Sequence, residues 1–205
     1  MMRGKIRVAV FISGGGTNLQ SLIDSSQAEG FPAEIAFVLS SNEDAYGLER
    51  ARKHSIPTGV IRRKDFESSD EFSNAIMDAL EAHRIDVICL AGYMKLIPAK
   101  VIRHFRDRIL NIHPALLPKF GGKGMYGMRV HGAVIAAGET ESGPTAHLVD
   151  EIYDHGDIVM QMRVPVLPGD TPEDLQKRVL EAEHKLYPEA LRALAEKIIS
   201  EEKRK

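Results

Sequence analysis

The sequence holds one cysteine, no long apolar run and almost no net charge, and each shortage removes a class of function. A single thiol, Cys89, excludes an internal disulfide and any metal site built from several cysteines. It falls in Asp86-Val-Ile-Cys-Leu-Ala91, an apolar run that reads as a buried strand with the thiol as a small core residue. No apolar stretch approaches the ~20 residues that span a bilayer. The opening Met1-Met-Arg-Gly-Lys-Ile6 is followed by no small-residue cleavage site, so no secretory leader is expected. The expected compartment is the cytosol. With 27 Lys and Arg against 29 Asp and Glu, the formal net charge is −2, which offers no whole-protein field to nucleic acid or an anionic membrane. The sequence also shows no repeat, low-complexity tract or interdomain linker.

What is present is a regular alternation. The 205 residues are 43% hydrophobic and 27% charged, enough to bury a large core under a wet surface, and the length suits one compact domain. Through the first half, β-branched runs (6–13, 34–40, 58–61 and 87–91) alternate with stretches of helical spacing (18–26, 47–54 and 68–83). That pattern signals βαβ units and a parallel sheet. The first run is apolar on both faces, as a central parallel strand is. In the second half, Pro98 is expected to open a short helix carrying Val101, Ile102 and Phe105; 108–112 reads as a strand and 130–137 as a helix. Two more strands, 145–150 and 158–166, flank a loop rich in acidic residues and glycine. Thr171-Pro-Glu173 supplies a cap and a first-turn proline for a last helix reaching about Ser200, with Pro188 placed to kink or divide it. The tail 201–205 is expected to fray. The expected fold class is α/β: a Rossmann-like mixed, mostly parallel sheet flanked by helices.

Three segments carry candidate chemistry. Ser13-Gly-Gly-Gly-Thr-Asn18 follows the first strand and precedes a helix. Glycines let successive N–H groups approach an anion, and the helix start adds partial positive charge beyond the carboxyl ends of the strands. It is neither a Walker loop nor a dinucleotide fingerprint, and a plain tight turn would use the same residues. In Asn111-Ile-His-Pro-Ala-Leu-Leu-Pro118, strand alternation puts Asn111 and His113 on one face, where an amide and an imidazole could hold an oxyanion and move a proton. A structural histidine at a strand end would look alike. The third segment, 143–157, carries His147 and then Asp150, Glu151, Asp154 and Asp157. One of these carboxylates beside His113 is expected to raise its pKa and favour the imidazolium, the others being solvated. Although His104, His113, His131, His147 and His155 crowd this half, no metal-ligand spacing occurs, so no metal is expected.

Together these segments resemble the phosphoribosylglycinamide formyltransferases, a folate-dependent family of purine synthesis. The resemblance runs from Val8 to about Tyr187 and is carried by Ile12-Ser-Gly-Gly-Gly-Thr-Asn-Leu-Gln20, Ala91-Gly-Tyr-Met-Lys-Leu96, Asn111-Ile-His-Pro-Ala-Leu-Leu-Pro-Lys119 and Asp154-His-Gly156. The Asn–x–His–Pro segment with a later Asp–x–Gly is specific to formyl-folate enzymes, and the Ser-Gly-x-Gly-Ser/Thr-Asn loop points to the glycinamide ribonucleotide branch. The resemblance implies the formyltransferase fold over one domain, 1–205, with a phosphate-binding half at about 1–105 and a folate and catalytic half at about 106–205. It implies transfer of the formyl group of 10-formyltetrahydrofolate, as co-substrate, to the amine of glycinamide ribonucleotide without a metal. The products are formylglycinamide ribonucleotide and tetrahydrofolate. Asn111, His113 and Asp154 match the family's catalytic trio. By the same resemblance Gly15, Gly16, Thr17 and Asn18 hold the ribonucleotide phosphate, and Glu183 bonds its ribose hydroxyls. Met94, Lys95, Leu96 and the backbone of Val149, Asp150 and Glu151 line the folate pocket, and Arg62 meets the folate's glutamate tail or the phosphate. The partners implied are small molecules, for a monomer or homodimer, without nucleic acid or membrane. Two features depart from the family form: the glycine-rich stretch Gly121-Gly-Lys-Gly-Met-Tyr-Gly-Met-Arg129 is longer, and Lys95 stands where arginine is common. The related 10-formyltetrahydrofolate hydrolases would be expected to add an N-terminal regulatory domain, and methionyl-tRNA formyltransferases a C-terminal RNA-binding domain and a basic surface; neither is visible in the sequence.

Overall fold

The computed structural model describes residues 4–204; residues 1–3 and 205, on which part of the leader and tail expectations fall, lie outside it. The elements run β1 (Ile6–Ile12), α1 (Thr17–Ser26), β2 (Ala33–Ser40), α2 (Tyr46–Lys53), β3 (Thr58–Val60), α3 (Ser69–Ala82), β4 (Val87–Leu90) and α4 (Ala99–His104). They continue with β5 (Ile109–His113), α5 (Met128–Ala136), β6 (Glu141–Ser142), β7 (Thr145–Leu148), β8 (Ile158–Gln161), β9 (Val164–Pro165) and α6 (Pro172–Glu202). A short 3₁₀ turn, Arg63–Asp65, and the two-residue β6 are elements the sequence pattern did not announce.

Seven strands make one sheet in the order β3-β2-β1-β4-β5-β7-β8. From β3 to β5 the pairs are parallel; β7 and β8 close the far edge antiparallel. The strand order reverses at β1, where the chain first builds outward to β2 and β3 and then returns to place β4 on the other side. Ligands of open α/β sheets settle at such a reversal, beyond the carboxyl ends of the strands. The residues at that point are those of the glycine loop.

Alternation along β1 feeds both layers. Val8, Val10 and Ile12 are buried with α1, α2 and α6, whereas Ala9 and Phe11 are buried with α3 and α4. Both faces are covered, which is why β1 reads as a continuous apolar run rather than an alternating one. Helix starts follow their capping signals. Ser68 and Glu71 form a reciprocal capping box on α3, and Thr171 and Asp174 do the same on α6.

Two sequence expectations change. The run 158–166 is not one strand: after Gln161 the chain turns, Met162 N–H donates to Pro144 O, and β9 pairs with β6 in a separate two-stranded sheet. Nor does Pro188 divide the last helix, since α6 is continuous from Pro172 to Glu202. Buried Tyr187, Ala190 and Leu191 flank the proline and anchor the helix to the sheet, so one missing N–H bond is tolerated. The tail does not leave the helix at 201, since α6 continues through Glu202.

Tyr187 is the polar rivet between α6 and the sheet centre. Fully buried, its hydroxyl lies 2.9 Å from Leu90 O and 3.0 Å from Leu110 O and donates to this pair of carbonyls on β4 and β5. Tyr187→Phe leaves both carbonyls without that donor in a dry setting. The expected loss is about 1–3 kcal/mol, seen as a fall of several degrees in the melting temperature with an unchanged far-ultraviolet circular dichroism spectrum.

Candidate active site

β5 and β7 pair so that Asn111 lies directly opposite His147 and His113 opposite Thr145. The cross-strand pair brings Asn111 Nδ2 to 3.0 Å from His147 Nε2. After β7 the chain makes a loop and returns, with Leu148 N–H donating to Asp157 O. Gly156 must be glycine for this return, because a Cβ there would sit 2.0 Å from Leu148 O. Asp154, at φ 52°, takes the left-handed conformation that an aspartate tolerates better than most residues, and it turns its carboxylate back over the strands. Asp154 Oδ2 then lies 3.6 Å from His113 Nδ1, and Oδ1 lies 3.5 Å from His147 Nε2. The three residues proposed from sequence thus meet, joined by His147.

The carbonyl partners assign the ring hydrogens. His113 Nε2 is 2.8 Å from Phe120 O, which can only accept, so Nε2 carries hydrogen and the neutral ring turns a bare Nδ1 towards Asp154. By the same logic His147 Nδ1 donates to Leu148 O at 2.8 Å, and Nε2 accepts from Asn111. The amide of Asn111 keeps its second N–H for another acceptor. Burial holds the His113 imidazole below its ordinary pKa and outweighs the opposite pull of Asp154. This corrects the expectation of a raised value: the carboxylate is present, but at 4% side-chain exposure desolvation wins. Burial also opposes charge on Asp154. Yet the contacts with His147, the facing His113 and the Gly122 N–H at 2.9 Å together hold its carboxyl below the usual range. The pair at rest is a carboxylate beside a neutral ring.

The glycine loop follows β1. Gly16 adopts φ 69°, and no side chain caps the start of α1, so the first-turn amides there have no partner within the helix. Asn18, in that first turn, donates through Nδ2 to Glu183 Oε2 at 2.6 Å. Glu183 projects from α6 and is 7% exposed; burial pushes its carboxyl up to about 7 against the opposing bond from Asn18. The loop and Asn111 lie two strands apart, roughly 10 Å at the usual ~4.8 Å strand spacing, so one small molecule could span both.

The remaining sequence-proposed residues divide. Met94 and Leu96 are exposed on the segment after β4, and Met94 N–H is tied to Ser13 Oγ beside the glycine loop at 2.8 Å; Lys95 is exposed between them. Val149, Asp150 and Glu151 line a cavity of about 300 Å³ with Ile102, Arg103 and Gly156 among its other walls. Its size is at the lower end of small-molecule sites. Arg62 is not brought to the trio. It follows β3 at the opposite edge of the sheet, where Glu43 and Asp65 both pair with it, the guanidinium Nε at 2.6 Å from Asp65. Among the described residues no group of three or more His, Cys, Asp and Glu side chains is placed to hold a metal.

The formyl transferase family profile matches residues 6–191. A phosphoribosylglycinamide formyltransferase of Haemophilus influenzae is 45% identical over 89% of this chain and 84% of its own length. The crystal structure of phosphoribosylglycinamide formyltransferase from Brucella melitensis is 49% identical and superposes with a TM-score of 0.87, covering 93% of this chain and 96% of that one. This chain belongs to the formyl transferase family. A chloroplastic phosphoribosylglycinamide formyltransferase of Arabidopsis thaliana is 45% identical over 94% of this chain, which spans 66% of that relative's length. Two contributors to this cluster were not named from the sequence. His147 was seen only as one of several histidines; its signal was its register opposite Asn111, which needs the strand pairing. The glycine-rich stretch was noted only for its length, whereas its Gly122 N–H and the Phe120 O just before it reach Asp154 and His113 directly.

Glu183 gives a signed pH test. A folded-state carboxyl raised from 4.5 to about 7 keeps its proton when the unfolded chain has lost it. Stability contributed by Glu183 is therefore full below about pH 4.5 and is lost as pH rises to about 7, by an amount on the order of 3 kcal/mol. Glu183→Gln is expected to remove that loss: urea midpoints of the variant and the parent should converge at pH 4 and separate in the variant's favour by pH 7.5. Parallel curves would show that Glu183 is not so perturbed.

Proposed function

We propose that the chain transfers the formyl group of 10-formyltetrahydrofolate to the primary amine of glycinamide ribonucleotide. The observation that carries this is the meeting of Asn111, His113 and Asp154 around one buried spot two strands from a glycine turn at an uncapped helix start. We read the described residues as one domain whose first half, to about 105, holds the phosphate, while the rest binds the folate and reacts. Both substrates are small molecules, and our reading puts the reaction in the cytosol.

The amine attacks the formyl carbon, and the carbonyl oxygen takes up negative charge. Asn111 keeps one N–H on His147 and donates the other to that oxygen. The His113 ring is neutral at rest because burial keeps it so; a developing oxyanion nearby reverses the balance and favours imidazolium. A proton leaving the amine can be taken at Nδ1, where Asp154 already faces it, and then be passed, through water, to the folate nitrogen as the C–N bond breaks. The step balances: the C–N bond to the amine forms, the C–N bond to the folate breaks, and the amine's proton ends on the folate nitrogen, so tetrahydrofolate departs neutral there. Met94, Leu96 and the 149–151 backbone supply apolar and backbone contacts to the folate, and Glu183 with Asn18 stands beside the ribose.

The test reads absorbance of the folate product with and without glycinamide ribonucleotide. Turnover is expected only with it, and equal turnover without it would point to hydrolysis of the formyl donor instead. His113→Ala is expected to lower kcat by about 10²-fold or more while leaving the calorimetric Kd for the ribonucleotide within about twofold, because the phosphate turn is separate. Lost ribonucleotide binding in that variant would contradict the division of labour.

A further inference from the structure

We propose that Arg50, on α2, is a positioning residue for the phosphate turn, which aims its amides and lends it positive charge. The inference rests on the reading of the glycine loop as the site of a ribonucleotide's phosphate monoester.

Three successive carbonyls of that loop are tied back into the protein. Gly14 O accepts from Gly47 N–H at 3.0 Å, Gly15 O accepts from Arg50 Nε at 2.8 Å, and Gly16 O accepts from Gln20 N–H at 3.0 Å. In a planar trans peptide the carbonyl of one residue and the N–H of the next point in opposite directions. Fixing the oxygens of residues 14, 15 and 16 on the protein side therefore turns the N–H groups of 15, 16 and 17 away from it, towards any incoming anion. Two of these ties are made by backbone N–H groups. The middle one is a side chain, and it belongs to a cation.

The approach of α2 is built for this. A Cβ at Gly47 would meet Ile12 Cδ1 at 2.5 Å and Gly16 Cα at 3.3 Å, so only glycine lets the helix lie this close to the loop. Arg50 follows one turn later on the same face. Its guanidinium also donates through Nη1 to Gln20 Oε1 at 3.3 Å and rests 5.1 Å from the centre of the Tyr46 ring. Arg52, its neighbour on α2, is paired with Glu49, whereas Arg50 has no carboxylate partner among the described residues. A fixed arginine left without a counter-ion, one bond from an anion turn, is the arrangement a phosphate would complete. Its charge is felt within the protein as well: His184 on α6 is held below its ordinary pKa by burial and then by Arg50.

The experiment is isothermal calorimetry on the full chain, its Arg50→Met form and its Arg50→Lys form, with glycinamide ribonucleotide and, separately, with inorganic phosphate. Arg50→Met is expected to weaken ribonucleotide binding about tenfold or more, raising KM for the ribonucleotide while kcat at saturation and KM for the folate stay within about twofold. Arg50→Lys, which keeps the charge but cannot hold Gly15 O and Gln20 as a planar fork does, is expected to fall between. Ribonucleotide affinity unchanged in Arg50→Met overturns the proposal, and so does a matching loss of folate affinity, which would mark a general structural role. If Arg50→Met fails to fold, Arg50→Lys decides: a loss of about threefold or more supports the proposal and parental affinity overturns it. The phosphate titration separates the two levels. Parent chain that binds phosphate but not this ribonucleotide sinks the substrate reading alone, while equal phosphate affinity in parent and Arg50→Met sinks the role of Arg50.

Discussion

The antiparallel pairing of β5 with β7 decides where chemistry can happen in this molecule. A parallel strand at that place would have carried the chain away across a helix. An antiparallel one lets residues 145–148 run back along β5, sets His147 against Asn111, and releases the chain at the end where the next loop can drop Asp154 onto His113. The register matters as much as the direction, since a slip of one residue would turn His147 to the other face and leave Asn111 without its partner. That register is pinned at its end: Thr145 Oγ1 donates to Ala115 O and accepts from Leu117 N–H, and Gln161 on β8 ties to both Leu117 O and Thr145 Oγ1. The stiff segment after His113 is thereby stitched to the two antiparallel strands.

Burial then sets the charge state of what has been gathered. A carboxylate close to an imidazole would ordinarily make an ion pair, but His113 is too dry to hold its proton at rest, and Asp154 is kept ionised by neighbours that include a backbone amide of the glycine-rich stretch. The result is a site with an unused preference for positive charge, released when negative charge arrives. Glu183 shows the opposite outcome of the same physics: with only Asn18 to support its carboxylate, burial pushes it up to about 7. The two halves of the cleft thus differ in polarity for a local reason, namely how many donors each buried acid has.

Much of this was legible in the sequence because parallel sheets leave a strong pattern. The alternation of β-branched runs with helical spacing gave the layers, and Asn111, His113 and Asp154 were named from their motifs. What was not legible is what depends on backbone facing backbone. His147 owes its place to register. Phe120 and Gly122 contribute a carbonyl and an amide, which no side-chain motif announces, and Phe120 does so from a left-handed φ of 56° that its residue type disfavours. The pKa of His113 was misjudged in direction because sequence reports a neighbouring charge but not the dryness around it. For Arg62, an arginine after a strand looks available in sequence, and only the fold shows that Glu43 and Asp65 pair with it.

The central claim is that His113 waits as a neutral ring, hydrogen on Nε2, with its bare Nδ1 turned to an ionised Asp154. Nitrogen-15 NMR of the histidine rings reads this directly, by tautomer and by titration, in the parent chain and in Asp154→Asn. The account predicts the Nε2–H tautomer at neutral pH, a His113 midpoint below the ordinary histidine value, and a midpoint lower still in Asp154→Asn, where the one facing carboxylate that raises it has lost its charge. A His113 ring that is already imidazolium at neutral pH, or a midpoint indifferent to Asp154, would contradict it.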